Sequence, residues 1–202
     1  MRRIVTFEHV SPDGYFATPD GKLDWVVSDD EVGEAAMKVN PDLDLVLYGR
    51  KTFEMMAAFW PKVSADSDTA PDPHTPGKSS PMMKKMADFL NTTPKLVFSK
   101  SMADKPAWQP TRVVREFTPR FVQELKHQPG KDIIVFGSGT IVSQLTQHRL
   151  IDEYIFVVSP ILLGSGRKLI DDAKSLTIQL EEAKGYASGV TVLRYVPKPA
   201  KR

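Results

Sequence analysis

The 202-residue chain has no cysteine. That excludes disulfides, thiolate metal sites and a cysteine nucleophile, and it accords with a reducing cytoplasm. Long apolar runs are missing too: none approaches the roughly 20 residues of a membrane span, so no membrane association is expected. The start, Met1-Arg-Arg-Ile-Val-Thr-Phe-Glu8, has two basic residues but not the apolar core of roughly 7–15 residues that marks a secretory signal. A cytoplasmic location is the expectation. Nor does one charge dominate, since 27 Lys and Arg face 25 Asp and Glu for a net charge of +2. With the bases spread along the chain, no nucleic-acid surface is expected. No repeat or domain boundary is visible, and residues 1–202 read as one domain with ample length for a core.

Against these absences, the clearest positive feature is Lys131-Asp-Ile-Ile-Val-Phe-Gly-Ser-Gly-Thr140. The apolar run Ile133–Phe136 reads as a strand buried on both faces. Gly137-Ser138-Gly139-Thr140 follows, and Ile141, Val142 and Leu145 then fall at helical spacing. Strand, glycine turn and helix together aim free backbone N–H groups at an anion, usually a phosphate. The glycines would spare the ligand a Cβ or supply a positive φ. Taken alone, such a turn also serves simply to pack a helix on a sheet.

Earlier in the chain, Arg3 to Val10 reads as a strand, followed by a loop with turns at Ser11-Pro-Asp-Gly14 and Pro19-Asp-Gly21 and aromatics at Tyr15, Phe16 and Trp25. A loop of that kind either covers a ligand or plugs the core edge. Ser28 is the expected N-cap of a helix, with Glu31 completing a capping box and Asp29 and Asp30 complementing the dipole. Val32, Ala35, Ala36 and Val39 form its apolar face, and Asn40-Pro41 is its expected stop. Asp44–Tyr48 reads as a second buried strand, running into Gly49-Arg50-Lys51-Thr52 and a helix that ends at Pro61. Two cations are unfavourable at a helix start unless an anion sits there; the competing reading is a solvated surface turn.

Residues 62–80 are rich in Pro, Ser, Asp and Gly and read as a long flexible loop unable to pack a core. His74 within it has no partner pattern, and no metal site is expected. Pro81–Leu90 reads as a helix whose Met82, Met83, Met86, Phe89 and Leu90 serve core packing. A third strand, Pro94–Phe98, ends in Ser99-Lys100. Arg112–Arg115 is a short fourth strand. Thr118-Pro119 starts a helix as N-cap and N1 proline. Ile151–Pro160 is another strand, and Leu176–Ala183 with Val190–Val196 reads as an antiparallel C-terminal hairpin.

This alternation predicts an α/β three-layer sandwich around a mainly parallel sheet. In such sheets ligands bind beyond the carboxyl ends of the strands. Three strand ends carry anion-friendly residues: Gly49-Arg50-Lys51-Thr52, Ser99-Lys100 and Gly137-Ser138-Gly139-Thr140. Together they would hold a ligand with several phosphates.

The ordered set Ser11-Pro-Asp-Gly14, Leu23-Asp-Trp25, Gly49-Arg-Lys-Thr-Phe-Glu54, Trp60-Pro61, Phe98-Ser-Lys100, Gly137-Ser-Gly139, Leu150-Ile-Asp-Glu153 and Pro160-Ile-Leu-Leu-Gly164 resembles the dihydrofolate reductase superfamily. Nearest is the branch of the C-terminal reductase domain of bifunctional riboflavin-biosynthesis enzymes. The resemblance implies a dihydrofolate-reductase-like mixed sheet of eight strands and an NADPH-dependent reductase. It places Gly49, Arg50, Thr52 and Ser99, with Lys51 and Lys100 beside them, on the adenosine phosphates. Gly137 to Thr140 take the pyrophosphate, and the Asp-Gly loop closes over the nicotinamide. Its substrate side falls on Trp25 and Asp30, or on Gly164, Gly166 and Arg167 if a phosphoribosyl pyrimidine is bound. Asp13, Asp30 or water would donate the proton, though Asp13 is also a natural turn residue. The resulting expectation is hydride transfer to a C=N or C=O bond of a pyrimidine- or pterin-like small molecule, akin to 5-amino-6-(5-phosphoribosylamino)uracil reductase, by a homodimer. The alternative is a non-catalytic NADPH- or nucleotide-binding module of the same fold.

Overall fold

The structure is a computed structural model, described for residues 1–39, 42–171 and 173–199. The chain opens with β1 (Ile4–Val10) and β2 (Tyr15–Ala17), then α1 (Asp30–Val39), β3 (Leu43–Gly49) and α2 (Arg50–Phe59). After a 3-10 turn at Trp60–Lys62 come β4 (Ala70–Pro71), β5 (Ser79–Ser80), α3 (Pro81–Thr92), β6 (Lys95–Phe98) and β7 (Thr111–Val114). The remainder is α4 (Pro119–His127), β8 (Asp132–Phe136), α5 (Gly139–Gln147), β9 (Glu153–Val158), β10 (Arg167–Lys168), β11 (Ile178–Gly185) and β12 (Thr191–Pro197).

The main sheet has eight strands in the order β11-β12-β9-β1-β8-β3-β6-β7. Pairing is parallel from β9 through β7, while β12 runs antiparallel to both β9 and β11. This is the mixed, mainly parallel sheet with a C-terminal antiparallel hairpin that the sequence pattern implied. Strand alternation sorts the core into two layers. Val5, Phe7, Val46, Tyr48, Val97 and Ile134 face Val32 of α1, Phe53 of α2 and Leu90 of α3. Ile4, Leu45, Leu47, Leu96, Ile133 and Val135 face Val122 and Leu125 of α4 and Ile141, Val142 and Leu145 of α5. Because β3 and β8 bury both faces, they carry the unbroken apolar runs Leu45–Tyr48 and Ile133–Phe136, whereas β1, buried likewise, carries Thr6, Glu8 and His9 among its apolar residues.

Three expectations need correction. The N-cap of α1 is Asp29, not Ser28: Asp29 Oδ1 accepts from the N–H groups of Glu31 at 2.9 Å and Val32 at 3.3 Å. A carboxylate one residue closer to those donors displaces the hydroxyl. The expected stop at Asn40-Pro41 lies outside the described residues, as do the side chains of Ala36 and Val39. Second, the 62–80 segment does pack: β4 and β5 pair antiparallel, Ala70 is fully buried, and Asp72 and Ser80 are nearly so. Its composition hid this, because one alanine and a few local turns suffice to seat it. Third, the hairpin strands begin and end later than the apolar pattern suggests, and β11 is exposed along almost its whole length.

At the amino ends of the strands, Glu153 of β9 is nearly buried and takes two guanidinium groups. Arg3, just before β1, pairs with Oε2, and Arg194 of β12 reaches Oε1 at 2.7 Å. Arg194 also holds Glu182 of β11 at 3.0 Å, so one carboxylate ties the hairpin into the parallel sheet.

Candidate functional site

The neighbour order β8-β3-β6 sets the three predicted strand ends side by side at the carboxyl edge of the sheet. After β8 the backbone takes two consecutive left-handed residues, Gly137 with φ 54° and Ser138 with φ 62°. The expectation of a positive-φ glycine holds at Gly137. Ser138 then connects the turns. Its N–H donates to Thr52 Oγ1 at 3.1 Å, and its Oγ accepts from the Gly49 N–H at 2.9 Å. At Gly139 and Gly49 the expected reason for glycine is corrected. A Cβ on Gly139 would lie 2.8 Å from Phe16 Cζ, and one on Gly49 3.3 Å from Ile141 Cγ1. Protein packing, rather than a phosphate, fills that space.

The helix starts differ in a telling way. Asp29 caps α1, Ser80 caps α3 and Thr118 caps α4, each accepting from a first-turn N–H. The starts of α2 and α5 have no side-chain cap. No side chain takes their leading N–H groups, although the Ile141 N–H of α5 donates to the Ser138 carbonyl at 2.7 Å, and the positive end of each helix dipole lies behind them. Arg50 pairs with Glu54 at 2.8 Å on the surface of α2, an exposed pair that costs little to open, and Lys51 is exposed beside it. Ser99 is buried with its Oγ accepting from the Met102 N–H at 3.0 Å, while Lys100 is exposed. Arg115, which the sequence reading passed over, holds this turn through the carbonyl of Met102 at 2.6 Å. These groups fit a phosphate-rich dinucleotide: free N–H donors at two turns, with Arg50, Lys51 and Lys100 around them.

The first loop and the 160s segment hold each other. Asp13 accepts from the N–H groups of Leu163 at 3.2 Å and Gly164 at 2.7 Å. The Ser11 hydroxyl, then those backbone donors, keep its carboxyl below the usual range. The residue expected to give a proton is therefore an ionised acceptor at neutral pH. A depressed folded value means that the latch is complete above the ordinary value of 3.8 and opens as pH falls through the lower folded value. Asp13→Ala is expected to speed hydrogen exchange at the Leu163 and Gly164 amides about tenfold; unchanged exchange would show that the latch is not formed. Arg167 donates from Nε to the Pro19 carbonyl at 3.2 Å, and Gly166 approaches the Ala17 carbonyl too closely to admit a Cβ. Gly164, Gly166 and Arg167 thus clasp the first loop, and the carbonyl of Leu169 accepts from Ser143 on α5 at 3.3 Å.

Trp25 and Asp30 belong to a different neighbourhood. Trp25 is buried with an unpartnered Nε1, and Asp30 Oδ1 accepts from Ser80 Oγ at 3.1 Å with Lys78 Nζ at 3.9 Å. The 62–80 segment therefore engages the acid expected to grip a substrate ring.

Three titratable residues went unassigned in the sequence. Glu8 of β1 is buried on the α5 side, and neither carboxyl oxygen has a hydrogen-bond partner. Burial pushes its carboxyl well above the usual range; the nearby Gly137 N–H, which favours the charged form, makes no geometrically sound bond to it. His9, next in β1 but on the opposite face, is pushed down to about 3 by burial and then by His74. His74 is also lowered by burial, partly offset by Asp72 and by the nearby Leu23 carbonyl. A carboxylate beside an imidazole inside an otherwise apolar strand was the signal available in the sequence. Among the described residues no group of three or more His, Asp or Glu is placed to hold a metal, and no helix is long and apolar enough to cross a membrane.

The sequence pattern of the family described as the RibD C-terminal domain matches residues 2–193. A relative in Bacillus subtilis (strain 168), "Uncharacterized protein YyaP", is 27% identical over 199 residues, covering 96% of this chain and 95% of its own. The crystal structure of a "putative riboflavin biosynthesis protein" from Shewanella sp. PV-4 superposes with TM-score 0.67 at 23% identity, over 98% of this chain and all of that one. A Thermotoga maritima diaminohydroxyphosphoribosylaminopyrimidine deaminase/5-amino-6-(5-phosphoribosylamino)uracil reductase superposes with TM-score 0.63 at 14% identity, over 98% of this chain and 57% of that one. The two structural matches show a shared fold.

Proposed function

The chain belongs to the RibD C-terminal domain family, and from that membership we propose that it is an NADPH-dependent reductase. Its substrate is a pyrimidine- or pterin-like heterocycle reduced at a C=N or C=O bond, as in 5-amino-6-(5-phosphoribosylamino)uracil reduction. The observation that carries this reading is the pair of uncapped starts of α2 and α5, bridged by Ser138 and flanked by cations. NADPH, when bound, supplies the hydride.

The chain's own residues bind, orient and exclude water. The N–H groups opening α5 take the pyrophosphate, and those opening α2, with Thr52, take the adenosine side. Arg50 turns from Glu54 to the 2′-phosphate, for which a planar guanidinium is suited. The first loop, fixed by Asp13 and Arg167 to the 160s segment, walls the reacting end from water. Asp13 is a positioning residue, and the proton comes from water rather than from this ionised group.

Arg50→Ala is expected to weaken NADPH binding about tenfold to thirtyfold while leaving NADH within about twofold, as titrated by tryptophan quenching. Equal loss for both cofactors would remove the 2′-phosphate assignment. One observation favours a second reading, a binding module without turnover: Gly164, Gly166 and Arg167 are all occupied by loop contacts. NADPH consumption in the presence of a diaminopyrimidine ribose phosphate or dihydrofolate separates the two.

A further inference from the structure

We propose that His9 and His74 form a substrate-recognition pair that takes the lactam edge, an N–H beside a C=O, of a uracil- or pterin-type ring. The proposal rests on the reductase reading above and names how its substrate end selects a ring.

The carboxylates and cation expected on that side already have partners. Asp30 is held by Ser80 and Lys78, Asp13 by two backbone N–H groups, and Arg167 by the Pro19 carbonyl. Unused hydrogen-bonding capacity remains on imidazole. His9 lies on the face of β1 that carries Phe7, 5.7 Å from it edge to face, and its Nδ1 is shielded from water without a partner. His74 is delivered to it by the 62–80 segment. Asp72 Oδ1 accepts from the His74 N–H at 2.7 Å and the Thr75 N–H at 3.1 Å, and the Asp72 N–H donates to the Lys78 carbonyl at 2.8 Å. This local turn sets the His74 ring against that of His9, with ring centroids 6.0 Å apart and planes at 54°.

A neutral imidazole has one N–H and one lone pair. With the Leu23 carbonyl close by to take its N–H, His74 would offer a lone pair. His9 can present an N–H. One acceptor and one donor side by side match a ring N–H next to a carbonyl. An anionic group fits less well. Burial disfavours charging either ring, and Asp72, nearly buried with Oδ2 unpartnered, sets a negative charge close behind His74. The 62–80 segment therefore meets the substrate end at two points, through His74 at His9 and through Ser80 at Asp30.

The test is calorimetric titration of the full chain, with and without NADPH, by 5,6-diaminouracil and by its 1,3-dimethyl derivative, which lacks the ring N–H groups. Wild type should prefer the unmethylated ring. His74→Ala should weaken that ring about tenfold, leave the dimethyl compound and NADPH unchanged, and be partly rescued by His74→Gln, whose amide oxygen restores an acceptor. His9→Phe keeps an aromatic ring without the hydrogen-bonding nitrogens and should weaken the unmethylated ring to a similar extent. His74 is only partly buried and its backbone turn is held by Asp72, so circular dichroism and NADPH binding of each variant report whether the fold is kept. Equal affinity of wild type and His74→Ala for 5,6-diaminouracil, or no affinity of wild type for it, overturns the pair. Failure of wild type to bind NADPH instead overturns the reductase reading, and the titrations without cofactor still decide the pair.

Discussion

Replacing Glu153 by alanine is expected to lower stability by about 3 kcal/mol, or roughly 6–12 °C in Tm for a chain of this size. The carboxylate is nearly buried and is shared by Arg3 and Arg194. Removing it leaves two guanidinium groups facing each other at the amino ends of β1 and β9. Breaking a fully buried pair costs roughly 3–5 kcal/mol, and the lower end applies because Arg3 and Arg194 keep 47% and 26% of their side-chain surface exposed. The loss also unties the hairpin, since Arg194 bridges Glu153 to Glu182. Trypsin should therefore cut near β11 and β12 earlier in the variant than elsewhere. A melting temperature within about 1 °C of wild type would show that the network contributes nothing.

Glu8→Gln is expected to act in the other direction. Glu8 is charged in the unfolded chain at neutral pH but is buried without hydrogen-bond partners in the fold. Its folded value is raised, so its contribution to stability is complete below the ordinary 4.5 and is lost as pH rises through the folded value. His9 works oppositely. Its folded value near 3 lies below the ordinary 6.5, so its contribution is present above 6.5 and is lost as pH falls toward 3. Wild-type stability should then rise with pH on the histidine's account and fall on the glutamate's. Glutamine removes only the falling limb. The variant should match wild type near pH 4 and exceed it by about 2 kcal/mol, roughly 4–8 °C, at pH 8. A gain independent of pH would mean that Glu8 is not the buried acid it appears from its surroundings.

The parallel core and the turns after β3 and β8 were legible because strands buried on both faces write unbroken apolar runs and glycine marks where they stop. The exact work of the turn residues was not legible. Ser138 bonds Gly49 across 89 residues, and Asp13 bonds Gly164 across 151. No local pattern announces which hydroxyl or carboxylate will be spent that way. The 62–80 segment misled for a different reason. Proline, serine and aspartate signal weak core formation, yet Asp72 builds a turn and Ala70 seats it without needing an apolar stretch. Its histidine then meets His9, which lies 65 positions earlier in sequence. Glu8 and His9 were visible as letters, but only the depth of β1 between β8 and β9 gives them their meaning.

That placement of β1 also orders events during synthesis. Residues 4–10 leave the ribosome long before their partners, residues 133–136 and 153–158. The central strand of the sheet must therefore wait, unpaired, until most of the chain has been made, a topology of high contact order that slows folding. An exposed strand of Ile, Val and Phe is a template for wrong pairing, and charged residues within such runs discourage it. While it waits in water, Glu8 carries the charge that its folded position suppresses. The acid that weakens the finished sheet guards the unfinished chain.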